Sequence, residues 1–149
     1  MSKVILLVED NASDVKLTVL AFKRTGLANE VVIVRDGAAA LDYLFRTGTH
    51  AGRDASQLPA VVLLDLKLPR IDGLEVLCCI RADEGMKFLP VVVLTASKEE
   101  EDVLRSYALG ANAYVRKPVE FVAFAEAART LGLFWLSLNE AAPIQRDRP

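Results

Sequence analysis

Four short runs of valine, isoleucine and leucine constrain this chain more than any other feature: Val4–Val8, Val31–Val34, Val61–Leu64 and Val91–Leu94. None alternates apolar with polar residues. A strand with one face in water alternates, so an unbroken run predicts a strand covered on both faces. A weaker fifth run lies at Ala113–Val115. Helices on each side of a sheet supply such cover, and the segments between the runs have helical length.

Their apolar spacing agrees. Residues 13–25 place Val15, Val19 and Phe22 on one stripe. Asp36 opens the next segment, in which Leu41, Leu44 and Phe45 face inward and Gly48 marks the end. Asp72 and Glu75 are spaced as an N-cap and its capping-box partner ahead of Leu77 and Ile80. Ser97 and Glu100 repeat that spacing before Val103, Leu104 and Tyr107, with Gly110 as the stop. A last helix, about residues 120–138, carries Phe121, Phe124, Ala128, Leu131, Trp135 and Leu138 at steps of three and four. The pattern predicts an α/β fold of five βα units with a parallel sheet and right-handed crossovers. The loop at 48–59 is the longest connection, and the polar tail beyond Asn139 is expected to fray.

A chain of 149 residues fits one domain, and 52% hydrophobic content supplies its core. A formal charge of −2 gives no basis for binding nucleic acid or an anionic membrane. The first apolar run stops at Glu9-Asp10, too early for a signal peptide, and no apolar stretch approaches the roughly 20 residues of a membrane span. Cys78 and Cys79 are neighbours in a helical segment and read as reduced thiols of a cytoplasmic protein. His50 stands alone among histidines, in a Gly/Thr-rich loop, which argues against zinc and for a solvated side chain.

The polar residues fall at strand ends. The first strand runs into Glu9-Asp10, the third into Asp65, the fourth into Thr95 and the fifth into Lys117-Pro118. In an open parallel sheet these ends share one edge, where such folds bind ligands. Taken singly, each residue has a plain structural role: Asp65 in a turn, Glu9-Asp10 capping a helix, Thr95 as a β-branched strand residue, Lys117 as a solvated charge. Tyr114 alone reads as packing. Together they make a site. Three carboxylates crowded on one edge require a protonated member or a bound cation. Lys117 offsets one charge, and a hard divalent ion such as Mg²⁺ suits the rest. Asp65 is then a nucleophile for a phosphoryl group, with Thr95 and Lys117 contacting its oxygens.

The pieces "LLVEDN" (6–11), "LLDLKLPRIDG" (63–73), "VVLTAS" (92–97) and "YVRKP" (114–118) resemble the receiver domain of bacterial two-component response regulators over residues 3 to about 139. The resemblance implies a flavodoxin-like, doubly wound sheet of order 2-1-3-4-5, with a receiver at 1–139 and a tail at 140–149 without an output domain. It implies that Asp65 is the phosphoacceptor. Asp10 is a direct Mg²⁺ ligand, Glu9 a ligand through water, and Lys67 a ligand through its carbonyl. Thr95 and Tyr114 are the switch pair, Lys117 contacts the phosphoryl group, and the Lys117–Pro118 peptide is cis. On phosphorylation, Thr95 would move toward the phosphoryl group and Tyr114 turn inward. "ALDYLFRTG" (40–48), "SYALGANAYVRKPVEF" (106–121) and "LGLFWLSLNE" (131–140) resemble single-domain regulators partnered with phytochrome histidine kinases. The stretch LGLFWLSL, apolar nearly all round, suggests a homodimer built on the last helix.

Two other functions compete. A metal-dependent phosphatase with an aspartyl intermediate commonly has a second Asp two residues after the nucleophile, where this chain has Lys67. A flavodoxin-like ligand carrier needs a Gly-rich or Ser/Thr-rich loop after the first strand, where this chain has EDNASD.

Overall fold

A computed structural model describes residues 3–25, 29–53 and 58–143. The expected five βα units are present. The strands are β1 (Lys3–Val8), β2 (Asn29–Val34), β3 (Val61–Leu64), β4 (Val91–Thr95) and β5 (Ala113–Arg116). The helices are α1 (Ala12–Lys23), α2 (Gly37–Phe45), α3 (Gly73–Ala82), α4 (Glu100–Ala108) and α5 (Phe121–Leu133). The sheet is parallel throughout, in the order β2-β1-β3-β4-β5.

Lack of alternation in the strands has its predicted cause. Along β1 and β3, Leu6, Val8, Val62 and Leu64 enter one core with Tyr43 and Leu44 of α2 and Val76, Leu77 and Ile80 of α3. The intervening Ile5, Leu7, Val61 and Leu63 enter a second core with Val15 and Phe22 of α1 and Leu131 near the C-terminus. Each residue of Ile5–Val8 and Val61–Leu64 therefore faces apolar side chains whichever way it points. The helix α5 packs on α1 so closely that a Cβ at Gly132 would lie 2.8 Å from the Phe22 ring.

Several local expectations are corrected. In α2, Arg46 takes the left-handed conformation (φ 57°) and its N–H donates to the Asp42 carbonyl, so the helix stops before Gly48. A brief 3₁₀ turn at Gly48–His50 follows. Residues 54–57 of the long loop lie outside the described residues. His50 is not simply solvated: it meets the Tyr43 ring edge-on at 5.1 Å. Ser97 does not cap α4. Glu99 holds that position, while Ser97 Oγ donates to Asp102 Oδ2 at 2.6 Å and accepts from the Glu99 N–H. Leu104 and Tyr107 of α4, and Phe121 and Leu138 near the C-terminus, point outward instead of into the core. The last helix continues to Leu138 as expected, but its final turn, Phe134–Leu138, is a π-helix.

Together α5 and that turn form an 18-residue helix, Phe121–Leu138, long and apolar enough by length and composition to cross a membrane, a correction to the expectation that no stretch approaches that length. Phe124, Ala128 and Leu136 of this helix are buried in the fold. The tail lies outside the described residues from position 144 onward. Cys78 and Cys79 are free thiols, as expected.

Candidate functional site

The carboxyl ends of β1, β3, β4 and β5 meet as the polar pattern predicted. Backbone bonds carry the sheet geometry one residue further, into the site itself. The Asp65 N–H donates to the Val8 carbonyl (3.0 Å), Glu9 N–H to Val34 (3.0 Å) and Lys117 N–H to Thr95 (2.7 Å). Glycine at 73 lets α3 start against this edge, because a Cβ there would fall 2.3 Å from the Asp65 carbonyl oxygen.

Asp65 is held from three sides. Thr95 Oγ1 donates to Oδ1 at 2.7 Å, and the Lys67 backbone N–H approaches the same oxygen at 3.3 Å. Lys117 Nζ donates to Oδ2 at 2.9 Å. The same ammonium reaches Glu9 Oε1 at 2.6 Å and Asp14 Oδ2 at 2.8 Å. One cation thus serves three carboxylates, and Glu9 (2% exposed), Asp65 (8%) and Thr95 (1%) are all buried.

The two buried carboxylates titrate in opposite directions. Burial, reinforced by the Asp65 charge, pushes Glu9 up to about 7, against the opposing pull of Lys117. Burial acts on Asp65 too, but hydrogen bonds from Lys117 and Thr95 outweigh it and hold this carboxyl below its ordinary value. Asp65 has the Thr95 hydroxyl as a donor besides Lys117, where Glu9 has the Asn11 N–H at 3.1 Å. For Lys117, burial works to lower the ammonium, and the bonds to Asp14, Glu9 and Asp65 win and raise it. Asp65 is therefore the more readily ionised member of the pair.

Not every expected residue joins the cluster. Asp10 is exposed beside Glu9, and no ion pair ties it to Lys117 among the described residues. The Lys67 side chain is also exposed, while its backbone, which carries the expected ligand, lies at the cluster with its N–H on Asp65. Tyr114 stands apart, its hydroxyl donating to the Ser97 carbonyl at 2.9 Å, and burial raises its phenol. Thr95 already reaches the carboxylate of Asp65 itself. The Lys117–Pro118 peptide corrects the expectation of a cis bond, because no cis peptide occurs among the described residues. An X–Pro bond prefers trans by only about 0.5–1 kcal/mol, so neither isomer is dictated by the dipeptide.

Asp14 went unread in the sequence. It lies in the first turn of α1, four residues beyond Asp10, and that helix begins at the same edge. This spacing was the available signal.

No trio of acidic, histidine or cysteine side chains forms a ready metal cage among the described residues. The donor set nevertheless suits a hard divalent ion. Glu9 and Asp65 already approach one cation from two sides, and Mg²⁺ uses few protein oxygens and keeps several waters.

Comparison with known proteins identifies the family. Residues 5–129 match the response regulator receiver domain. The chain is 42% identical to the probable methanogenesis regulatory protein FilR2 of Methanothrix harundinacea, covering 93% of this chain and 86% of that protein. It is 40% identical to the response regulator Rcp1 of Synechocystis sp., covering 90% and 89%. The Mn²⁺-bound form of Rcp1 superposes with a TM-score of 0.88 over 95% of this chain and 99% of that one, at 38% identity. The phosphorylated cyanobacterial phytochrome response regulator RcpA superposes at 0.90, with 38% identity over 96% of this chain and 100% of its own. The bacteriophytochrome response regulator RtBRR superposes at 0.75, with 55% identity over 96% and 86%. The sheet order, the polar edge and these matches together place the chain in the response regulator receiver domain family.

Proposed function

We propose that this protein is a response regulator that accepts a phosphoryl group on Asp65 from a phosphohistidine of a sensor kinase of the phytochrome type. One observation supports this above the rest: Thr95 and Lys117 converge on the two oxygens of Asp65, at 2.7 and 2.9 Å. An ionised Asp65 attacks phosphorus, so that an O–P bond forms as the donor's N–P bond breaks. The Lys117 ammonium and the Thr95 hydroxyl, already in place, take up the oxygens of the arriving group. Glu9, Asp10, Asp65 and the Lys67 carbonyl would hold Mg²⁺, which when bound neutralises charge on the phosphoryl oxygens. The match to phytochrome regulators, RtBRR above all, supports the choice of kinase.

Thr95 and Tyr114 form the switch pair in this reading. Thr95 bonds Asp65, and Tyr114 bonds the loop between β4 and α4. A phosphoryl group shifts the balance between conformers that both already exist. The output surface is the face of α4, β5 and α5, where Leu104, Tyr107, Val119, Phe121 and Val122 are exposed. Phe134 and Leu138 extend it, and a homodimer built on the last helix covers them. The receiver unit extends through Asn139, and free thiols at 78 and 79 suit the reducing cytoplasm.

The test is direct. Acetyl phosphate or beryllofluoride with Mg²⁺ loads the wild-type protein, and Asp65→Asn abolishes loading. Equal loading of the variant overturns the assignment. Phosphotransfer from a phytochrome kinase checks the partner, and sedimentation at micromolar concentration checks the dimer, which a monomer with and without beryllofluoride would rule out.

A further inference from the structure

Asp14 is the third carboxylate on Lys117, and the proposal for Asp65 gives it no part. Its Oδ2 lies 2.8 Å from Nζ, as near as the Asp65 oxygen at 2.9 Å. Its position is built. The Asp14 N–H donates to the Asn11 side chain that caps α1 (3.0 Å), and its carbonyl accepts from the buried Thr18 hydroxyl one turn on (2.7 Å). Its side chain is 22% exposed, against 8% for Lys117, so it meets the ammonium from the solvent side.

A phosphoryl group on Asp65 carries about −1.5 to −2 charges and needs that same ammonium. Two carboxylates bonded to one nitrogen are close neighbours, so Asp14 also repels an anion arriving at Asp65. Both effects have the same sign. We infer that Asp14 is a positioning residue for Lys117 that competes with the phosphoryl group for its ammonium and so restrains loading of Asp65. This inference rests on the reading of Asp65 as phosphoacceptor. The ammonium has three hydrogens, and Glu9, Asp14 and Asp65 already engage it three times. Loading therefore requires the lysine to exchange one anion for another.

Beryllofluoride with Mg²⁺, titrated and followed by fluorine NMR, tests it. Asp14→Asn keeps the size and a hydrogen-bonding oxygen but removes the charge. It should bind the mimic roughly fivefold more tightly at low salt, and added potassium chloride should narrow the gap. Asp14→Glu should bind like wild type. Asp14→Ser, whose hydroxyl suits the first turn of a helix, repeats the test on a second side chain, with circular dichroism confirming the fold of each. Unchanged or weaker binding by both folded neutral variants overturns the inference, and so does a gap that salt leaves untouched. Asp65→Asn separates the two readings. If wild type forms an adduct that Asp65→Asn does not, failure of the Asp14 variants sinks this inference alone. If wild type forms none, both readings fall.

Discussion

Thr95 Oγ1 lies 2.7 Å from Asp65 Oδ1, in a pair of side chains almost wholly withdrawn from water. That bond joins those from Lys117 in holding the Asp65 carboxyl below its ordinary value. Thr95→Ala removes the donor and leaves a buried oxygen short of a partner, at a cost of about 1–3 kcal/mol. Thr95→Ser should recover most of it. Urea unfolding of the metal-free protein measures both, and an alanine variant as stable as wild type would contradict the role given to the hydroxyl.

Lys117 neutralises more than its share. Lys117→Met leaves Glu9, Asp14 and Asp65 facing one another without a cation. Breaking a buried pair in this way costs about 3–5 kcal/mol, and Mg²⁺ should return part of it. Denaturant midpoints with and without Mg²⁺ check this. The variant should gain more from the ion than wild type does.

The pH dependence near neutrality belongs to Glu9. Its pKa rises on folding from an ordinary 4.5 to about 7. The folded state therefore holds this proton more tightly than the unfolded chain. The contribution is fully present below pH 4.5, falls as the pH rises, and is lost above about pH 7. Asp65 runs the other way: its stabilisation is present above its ordinary value of 3.8 and is lost in acid as the pH falls through its lower folded value. Stability of the metal-free protein should thus decline between pH 5 and 8, by an amount on the order of 3 kcal/mol for Glu9 taken alone. Glu9→Gln should flatten that decline, as measured by unfolding at each pH.

At the far end of the sheet, Arg81 ties three segments together. Its Nε donates to the Gly110 carbonyl, Nη1 to Leu89 and Nη2 to Asn112 Oδ1. The same Asn112 oxygen accepts from the Val91 N–H at 2.8 Å. Lysine has one nitrogen and no fork, so Arg81→Lys should cost about 2 kcal/mol and leave phosphoryl loading intact. Thermal unfolding and a loading assay, run side by side, separate the two.

Gly73 links the fold to the site. A side chain there meets the Asp65 carbonyl and the Leu66 backbone, which have no room to retreat. Gly73→Ala should lose about 1–3 kcal/mol and also slow loading, because it displaces the peptide that carries Asp65. Gly132→Ala, set against the Phe22 ring instead, should lose stability with little effect on loading.

Much of this was legible in the residues. Unbroken apolar runs announced buried parallel strands, and strand ends are fixed by the runs themselves, so Asp65, Thr95 and Lys117 could be assigned to one edge. Asp14 could not be found the same way, because it sits on a helix, where a charge ordinarily means solvent. Ser97 misled for a related reason: its hydroxyl does bond near a helix start, but to Asp102 inside α4, and capping spacing does not distinguish the two. Leu104 and Tyr107 showed helical spacing without showing which side the helix presents. The Lys117–Pro118 isomer rests on a difference too small for sequence to decide.

The π-turn at Phe134–Leu138 has a consequence for how such a protein can diverge. A wider turn is what one inserted residue makes of an ordinary helix, and it rotates every later side chain about the axis. Gain or loss of a single codon here would swing Leu138 to a new bearing while the polar edge of the sheet stayed as it is. The bearing of this exposed end and the geometry around Asp65 are therefore set by separate parts of the chain.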